Sequence, residues 1–279
     1  MYLTLEECAA AWEAAGCHGT KVERMQRNTR WIPFYSWVAG GQSRNTSGPD
    51  PHSKEVARML KDAGVLEDGG RLLDLGCGTG GFSLAFAQVG MDVTAMDMDD
   101  ASLQVLKNRA DANGLSGIHT QQAMWEDYTP ESKFDVAFSA MCPAVCNYRE
   151  LLRFEETATK YGCLIAVSRG SYDKHRKELI HRLRVQPKGM TTEAMWYYNM
   201  LYLMGRQPNV WNFTRHYEYE TPLETVIRQN QVYFEVFGIP PEESGPKLRA
   251  YFAEHAVNGM VPDVSHINTQ LIWWKISER

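Results

Sequence analysis

Two hundred and seventy-nine residues make one large domain or two small ones, enough chain to bury a sizeable core. An apolar fraction of 44% and a charged fraction of 23% are those of a globular protein and exclude disordered, collagen-like and coiled-coil chains. With 29 Lys and Arg against 34 Asp and Glu the formal net charge is -5, which disfavours non-specific nucleic-acid binding.

Met1 to Ala15 places Glu6 and Glu7 where a leader needs a basic stretch followed by an apolar one, so no signal peptide is predicted. No apolar run reaches the roughly 18 residues of a membrane span. A cytoplasmic chain is therefore expected, with Cys8, Cys17, Cys77, Cys142, Cys146 and Cys163 as reduced thiols, because their spacing fits neither a zinc site nor a disulfide framework. The sequons at Asn45 and Asn212 then carry no sugar.

Thr4 and Glu7 form a capping box that opens a helix, with Gly16 expected to close it in a left-handed conformation. The aromatic stretch Trp31 to Trp37 is followed by Ala39 to Gly48, whose glycines and small polar residues predict a mobile loop. Asp50-Pro51 caps a second helix with Val56, Met59, Leu60 and Ala63 on one face.

From Arg71 strands and helices alternate. Strands are predicted at Arg71–Leu75, Asp92–Asp97, Gly117–Gln122, Phe134–Ser139 and Gly162–Ser168, with helices at Phe82–Val89, Ala101–Asn113 and Tyr148–Lys160 between them. Helices follow at Asp173–Leu183 and Glu193–Met204, and Trp211 to Tyr219 alternates as a strand with one apolar face. Thr221 to Glu224 caps another helix, Gly245 to Val257 is a further one, and Ile267 to Ile276 is the last strand. The pattern predicts an α/β fold with a mainly parallel, seven-stranded, doubly wound sheet, an N-terminal helical segment and a helical cap insertion.

The chemistry concentrates in Asp74-Leu-Gly76-Cys77-Gly78-Thr-Gly80-Gly81, which follows a strand and opens a helix, where the chain turns sharply and lets its backbone approach a ligand. Gly76, Gly78 and Gly81 also satisfy the dinucleotide pattern G-x-G-x-x-G. Asp97 ends the next strand, where a carboxylate accepts both hydroxyls of a ribose. Asp74 points a negative charge toward the loop, which suits a cationic or amino-bearing ligand better than a pyrophosphate and favours S-adenosylmethionine over NAD.

Through Asp74-Leu-Gly-Cys-Gly-Thr-Gly80, Val93-Thr-Ala-Met-Asp97 and the order of its strands, the sequence resembles the class I, Rossmann-like S-adenosylmethionine-dependent methyltransferases. The resemblance implies that residues 1–50 are an N-terminal helical and lid segment, and that residues 51–279 form the cofactor-binding domain, with a cap insertion at about 170–208. It assigns the methionine part of the cofactor to the loop with Asp74, Gly76, Cys77, Gly78 and Gly80, the ribose to Asp97, and the adenine face to Met98. Met124 stands where many members carry an acid, so the adenine edge falls to the Trp125 backbone or to Glu126. Ser139 and Met141 flank the methyl-donating end. Cys142-Pro143-Ala144 replaces the Asn-Pro-Pro-Tyr of some amino-group methyltransferases, so a planar amide or base amine is not the expected acceptor.

The resemblance implies methyl transfer from S-adenosylmethionine to a small-molecule acceptor, leaving S-adenosylhomocysteine. No catalytic residue and no metal ligand are assigned, and the acceptor and oligomeric state stay open. Alternatives are an RNA methyltransferase using the basic run Arg169 to Lys188, a metal(loid) or thiol methyltransferase using Cys142 and Cys146, and an NAD-dependent oxidoreductase. The two thiols read more simply as packing. The Met- and aromatic-rich stretch Met190 to Met204 reads equally as a buried helix or a pocket wall, and with Trp31 to Gly48 it is expected to close the acceptor pocket.

Overall fold

The computed structural model of the chain describes residues 4–17, 20–41, 47–185 and 193–276. The N-terminal part is helical: α1 (Leu5–Trp12), α2 (Lys21–Thr29), α3 (Ile32–Gly41) and α4 (Pro51–Asp62). Thr4 caps α1 through the expected box, but the chain continues as a π-helical turn over Glu13–Cys17, so Gly16 does not terminate it. A second box, Thr20 with Glu23, opens α2. Sequence reasoning read Ala39 onward as loop, yet α3 runs through Gly41. Pro33 sits in its first turn, where a missing N–H costs nothing, and Trp31 stacks on Tyr35 one turn on. Residues 42–46 of that expected loop lie outside the described residues, and Ser47 and Gly48 are in neither helix nor strand. Asp50 caps α4 as expected, accepting from the amides of His52 and Ser53.

Among the described residues eight strands follow: β1 (Arg71–Leu75), β2 (Asp92–Asp97), β3 (Ile118–Gln122), β4 (Phe134–Ala140), β5 (Ala158–Val167), β6 (Tyr172–Asp173), β7 (Asn209–Pro222) and β8 (Met260–Lys275). The sheet order is β3-β2-β1-β4-β5-β8-β6, with β7 on β8. The pairs β1/β2, β2/β3, β1/β4 and β4/β5 are parallel. The strand beyond the seven expected is β6, two residues antiparallel to Ser265 and His266, too short to leave a periodicity.

The connecting helices are α5 (Gly81–Gln88), α6 (Asp100–Ala112), α7 (Tyr148–Glu156), α8 (Lys174–Arg182), α9 (Ala194–Leu203), α10 (Leu223–Val236) and α11 (Pro241–His255). Three ends differ from expectation. Helix α7 stops at Glu156, because the β-branched Thr157 and Thr159 already favour strand, and Thr157 folds its hydroxyl back onto the Phe154 carbonyl. Thr221 is still in β7 and does not cap α10, which starts behind Pro222 without a side-chain cap. Helix α11 starts at Pro241, four residues before Gly245, since proline fits the first helical position. Among the described residues no helix is long and apolar enough to cross a membrane.

The chain divides into two compact units, Met1–Ala166 with Gly189–Trp211 and Gln270–Arg279, and Val167–Lys188 with Asn212–Thr269. The expected cap of residues 170–208 is thus not one piece, since α8 belongs to the second unit and α9 to the first. Within the first unit Trp12 packs edge-on to Tyr197 of α9, and the Tyr197 hydroxyl donates to the Val145 carbonyl. The methionine- and aromatic-rich helix is in this respect a core element. Within the second unit the basic run is largely engaged: Arg176 lies 4.3 Å over the Tyr233 ring, and Arg182 lies over Tyr251 and pairs with Glu178.

The first unit also buries an ion pair. Glu155 on α7, 3% exposed, accepts both arms of the Arg206 guanidinium at 2.7 and 2.9 Å and the Trp274 indole N–H at 3.0 Å. Removing one member of a buried pair strands the other's charge, so Glu155→Ala should lose about 3–5 kcal/mol in urea unfolding; a loss below about 1 kcal/mol would show the pair to be solvated.

Candidate functional site

Strand β1 has β2 on one side and β4 on the other, so crossovers leave it in opposite directions and open a crevice beyond its carboxyl end. The turn after β1 fills the floor of that crevice. Gly76, Gly78 and Gly80 all adopt positive φ, and at two of them the space is closed to a side chain: a Cβ would overlap the Cys142 sulfur at Gly76 and the Leu106 side chain at Gly80. At Gly78 a Cβ would meet nothing within 4 Å. There the backbone is bare toward a cavity of about 330 Å³, which Gly76, Gly78, Asp97 and Met98 line together with Trp125 and Glu126.

Asp97 is locked from both sides. The Gly78 amide donates to one carboxylate oxygen at 2.8 Å and the Asp99 amide to the other at 2.9 Å. Burial raises the Asp97 pKa against these bonds and a further one from the Met98 amide. Asp74 does not line the cavity. It is 2% exposed, takes a 2.5 Å hydrogen bond from the Ser83 hydroxyl of α5, and burial pushes its pKa to about 7. Its sequence position beside the loop places it underneath, where it braces α5. Cys77 and Gly80 likewise belong to the loop and do not line the cavity, and burial raises the Cys77 thiol well above its ordinary range.

The far wall comes from the turn after β3. Glu126, 8% exposed, accepts from the Asn28 amide at 3.0 Å through one oxygen, while its other oxygen is buried without a partner among the described residues. The Trp125 indole donates to Glu150 at 2.8 Å, the same carboxylate takes Arg24 at 3.0 Å, and the Arg153 guanidinium covers the indole ring at 4.3 Å. Those contacts fix Trp125 as wall.

After β4, Ser139 and Met141 behave differently. Ser139 is buried and donates to the Leu75 carbonyl, tying β4 to β1 without reaching the cavity. Met141 lines it, 46% exposed, with φ at +53°. A non-glycine residue in that conformation costs roughly 1–2 kcal/mol, strain held at the cavity's rim. Cys142 lines the cavity, its pKa pushed to about 12 by burial, whereas Cys146 is core and does not line it. No group of three or more His, Cys, Asp or Glu suited to a metal occurs among the described residues.

Among the lining residues outside the expected cofactor set, two come from the N-terminal helices: Asn28 on α2, and Tyr35 on α3, which lies within the stretch Trp31 to Gly48 expected to close the acceptor pocket. The Tyr35 phenol is held neutral by burial and by the nearby Cys142 and Asp97. The box Thr20-x-x-Glu23 announces α2, but nothing local announces the face it turns inward. None of α9 lines the cavity; Met195, Tyr198 and Tyr202 are exposed, and Met190 to Thr192 lie outside the described residues.

Residues 66–220 match a family model described as a methyltransferase domain. A ubiquinone biosynthesis O-methyltransferase of Haemophilus ducreyi is 48% identical over 59 residues, 21% of this chain and 25% of that protein. The chain thus matches well under two thirds of the length of such curated relatives. Among solved structures, the YcgJ protein of Bacillus subtilis superposes with a TM-score of 0.51 at 17% identity, over 82% of this chain and all of that one. A coclaurine N-methyltransferase, bound to N-methylheliamine and S-adenosylhomocysteine, does so with a TM-score of 0.50 at 14% identity, over 96% and 92%. At these identities the likeness is one of fold.

Because Asp74 holds its proton more tightly folded than unfolded, where a carboxyl titrates near 3.9, its contribution to stability is full below about pH 4 and is lost as the pH rises toward 7. Asp74→Asn, neutral throughout, should lack this loss, so urea unfolding from pH 4.5 to 7.5 should show the wild-type falling against the variant by up to about 3 kcal/mol. Parallel curves would mean that Asp74 is ionised at its ordinary pKa.

Proposed function

The chain belongs to the methyltransferase-domain family, and on that premise we propose that it binds S-adenosylmethionine in the cavity over the glycine loop and passes the methyl group to a small-molecule acceptor. The observation that carries the reading is the buried oxygen of Glu126, without a partner among the described residues, in a cavity that the bare backbone at Gly78 and the Asp97 carboxylate also line. A buried carboxylate oxygen calls for a donor, and a carboxylate at the end of β2 calls for a diol. An aminopurine nucleoside supplies both, with Met98 against the base and the loop at Gly76 and Gly78 along the amino-acid tail.

When bound, S-adenosylmethionine supplies a methyl carbon already activated by a positive sulfur, and transfer leaves neutral S-adenosylhomocysteine. The residues then have to orient and enclose. Met141 and Cys142 stand beyond Asp97 where the methyl end would reach, and Tyr35 lies near both Asp97 and Cys142. A neutral phenol and a protonated thiol leave that end without an anion to compete for the methyl group. Alignment of this kind can lower a barrier by roughly 7–11 kcal/mol, so no dedicated base is assigned. The acceptor is read as small because the cavity, about 330 Å³, is at the lower end for ligand sites and because the net charge of -5 opposes a nucleic acid.

Radiolabelled methyl transfer into a metabolite extract, with total RNA offered in parallel, tests the reaction; label in RNA alone would overturn the acceptor class. Calorimetry tests the site: S-adenosylmethionine should bind and NAD should not, and Asp97→Ala should weaken the former about tenfold or more. Tighter binding of NAD, or unchanged affinity in the folded variant, would contradict the assignment.

A further inference from the structure

Arg109 on α6 is 5% exposed, yet among the described residues no carboxylate takes any of its hydrogen bonds. Its Nε donates to the Ser47 carbonyl at 3.0 Å and one terminal nitrogen to the Gly48 carbonyl at 2.9 Å; the other donates to the Thr79 carbonyl at 2.7 Å. Thr79 lies between the two left-handed glycines Gly78 and Gly80, at the crest of the loop. Ser47 and Gly48 lead from the N-terminal helices into the Asp50 cap of α4.

A guanidinium bonded only by neutral carbonyls is expensive to bury. Burial lowers the Arg109 pKa, and the through-space charge of Asp50 opposes this. An apolar side chain of similar length would fill the same space at less cost. What the guanidinium alone supplies is a rigid plane of donors that reaches two chain segments at once. The same N-terminal segment touches the cavity elsewhere: Tyr35 lines it, and the Ser36 hydroxyl donates to Asp99 at 2.7 Å, next to the carboxylate that the Gly78 amide holds.

We propose that Arg109 is a positioning residue for cofactor binding, which fixes the Thr79 carbonyl against residues 47–48, so that the loop keeps its binding shape only while the N-terminal segment is docked. The inference rests on the reading of the cavity as the S-adenosylmethionine site. Coupling of this sort is reciprocal, so cofactor bound on the loop strengthens the docking of α3 in return.

The test uses the full chain, wild-type and with Arg109→Met or Arg109→Lys. Calorimetry with S-adenosylmethionine and with S-adenosylhomocysteine, well below the unfolding range, gives affinity. Hydrogen exchange of the α3 amides at saturating S-adenosylmethionine gives coupling. Arg109→Met should bind both ligands about tenfold weaker or more, and at saturation neither variant should show the added α3 protection seen in the wild-type. Lysine, a point charge, reaches one carbonyl and restores little; this variant also serves if Arg109→Met does not fold. Glu155→Ala, destabilised away from the loop, should keep wild-type affinity and coupling. Affinities of both Arg109 variants within twofold of wild-type, or the same losses in Glu155→Ala, would overturn the proposal. A wild-type protein that binds neither ligand would overturn the functional reading and the inference with it, whereas normal binding by the variants overturns the inference alone.

Discussion

The hydrogen bond from the Gly78 amide to Asp97 joins the turn after β1 to the end of β2, and the candidate site is organised around it. It brings the bare face of the loop and the carboxylate to one cavity. The amides of Gly76 and Cys77 reinforce it by donating to the Met96 carbonyl, one residue before Asp97. Such a closure needs glycine at Gly76 and Gly80, where Cys142 after β4 and Leu106 of α6 press against the turn. Bonds of this kind give about 0.5–1.5 kcal/mol each, so their value lies in geometry more than in stability.

A second set of polar contacts closes the cavity from the N-terminal helices. Arg24 and Asn28 are four residues apart on one face of α2, and they reach Glu150 and Glu126. Glu150 also holds the Trp125 indole, which Arg153 covers, so buried polar side chains brace the cavity at Trp125 and Glu126, while much of its lining, including Met96, Met98, Met124 and Met141, is apolar. Networks like this are costly when half satisfied. Here one Glu126 oxygen is buried without a partner among the described residues, on a residue that lines the cavity.

The sheet was readable because parallel strands buried on both faces leave apolar runs with sharp ends, as Arg71–Leu75 and Asp92–Asp97 do. The loop was readable because glycine spacing and two aspartates are local signals. Position relative to the cavity was not: Asp74 and Ser139 are adjacent to the right elements but turn toward Ser83 and Leu75. Asn28 and Tyr35 enter from helices more than 30 residues before the loop, and only tertiary packing brings them there. At Ala39 to Gly41 helix replaces the start of the expected loop, because aromatic contacts along α3 outweigh the low helix propensity of glycine. The two-unit division cuts through the expected cap, since composition does not reveal which helix packs on which strand.

The central claim is that the cavity at the carboxyl ends of β1, β2 and β4 holds the methyl donor. Ultraviolet cross-linking of S-adenosylmethionine labelled in its methyl group, followed by peptide mapping, tests this directly. The account predicts label confined to peptides containing Gly76 to Met98, Ala123 to Glu126, Met141 to Ala144 or Tyr35, and competed away by S-adenosylhomocysteine. Label in peptides from Asn212 to Thr269, or label that S-adenosylhomocysteine does not displace, would contradict it.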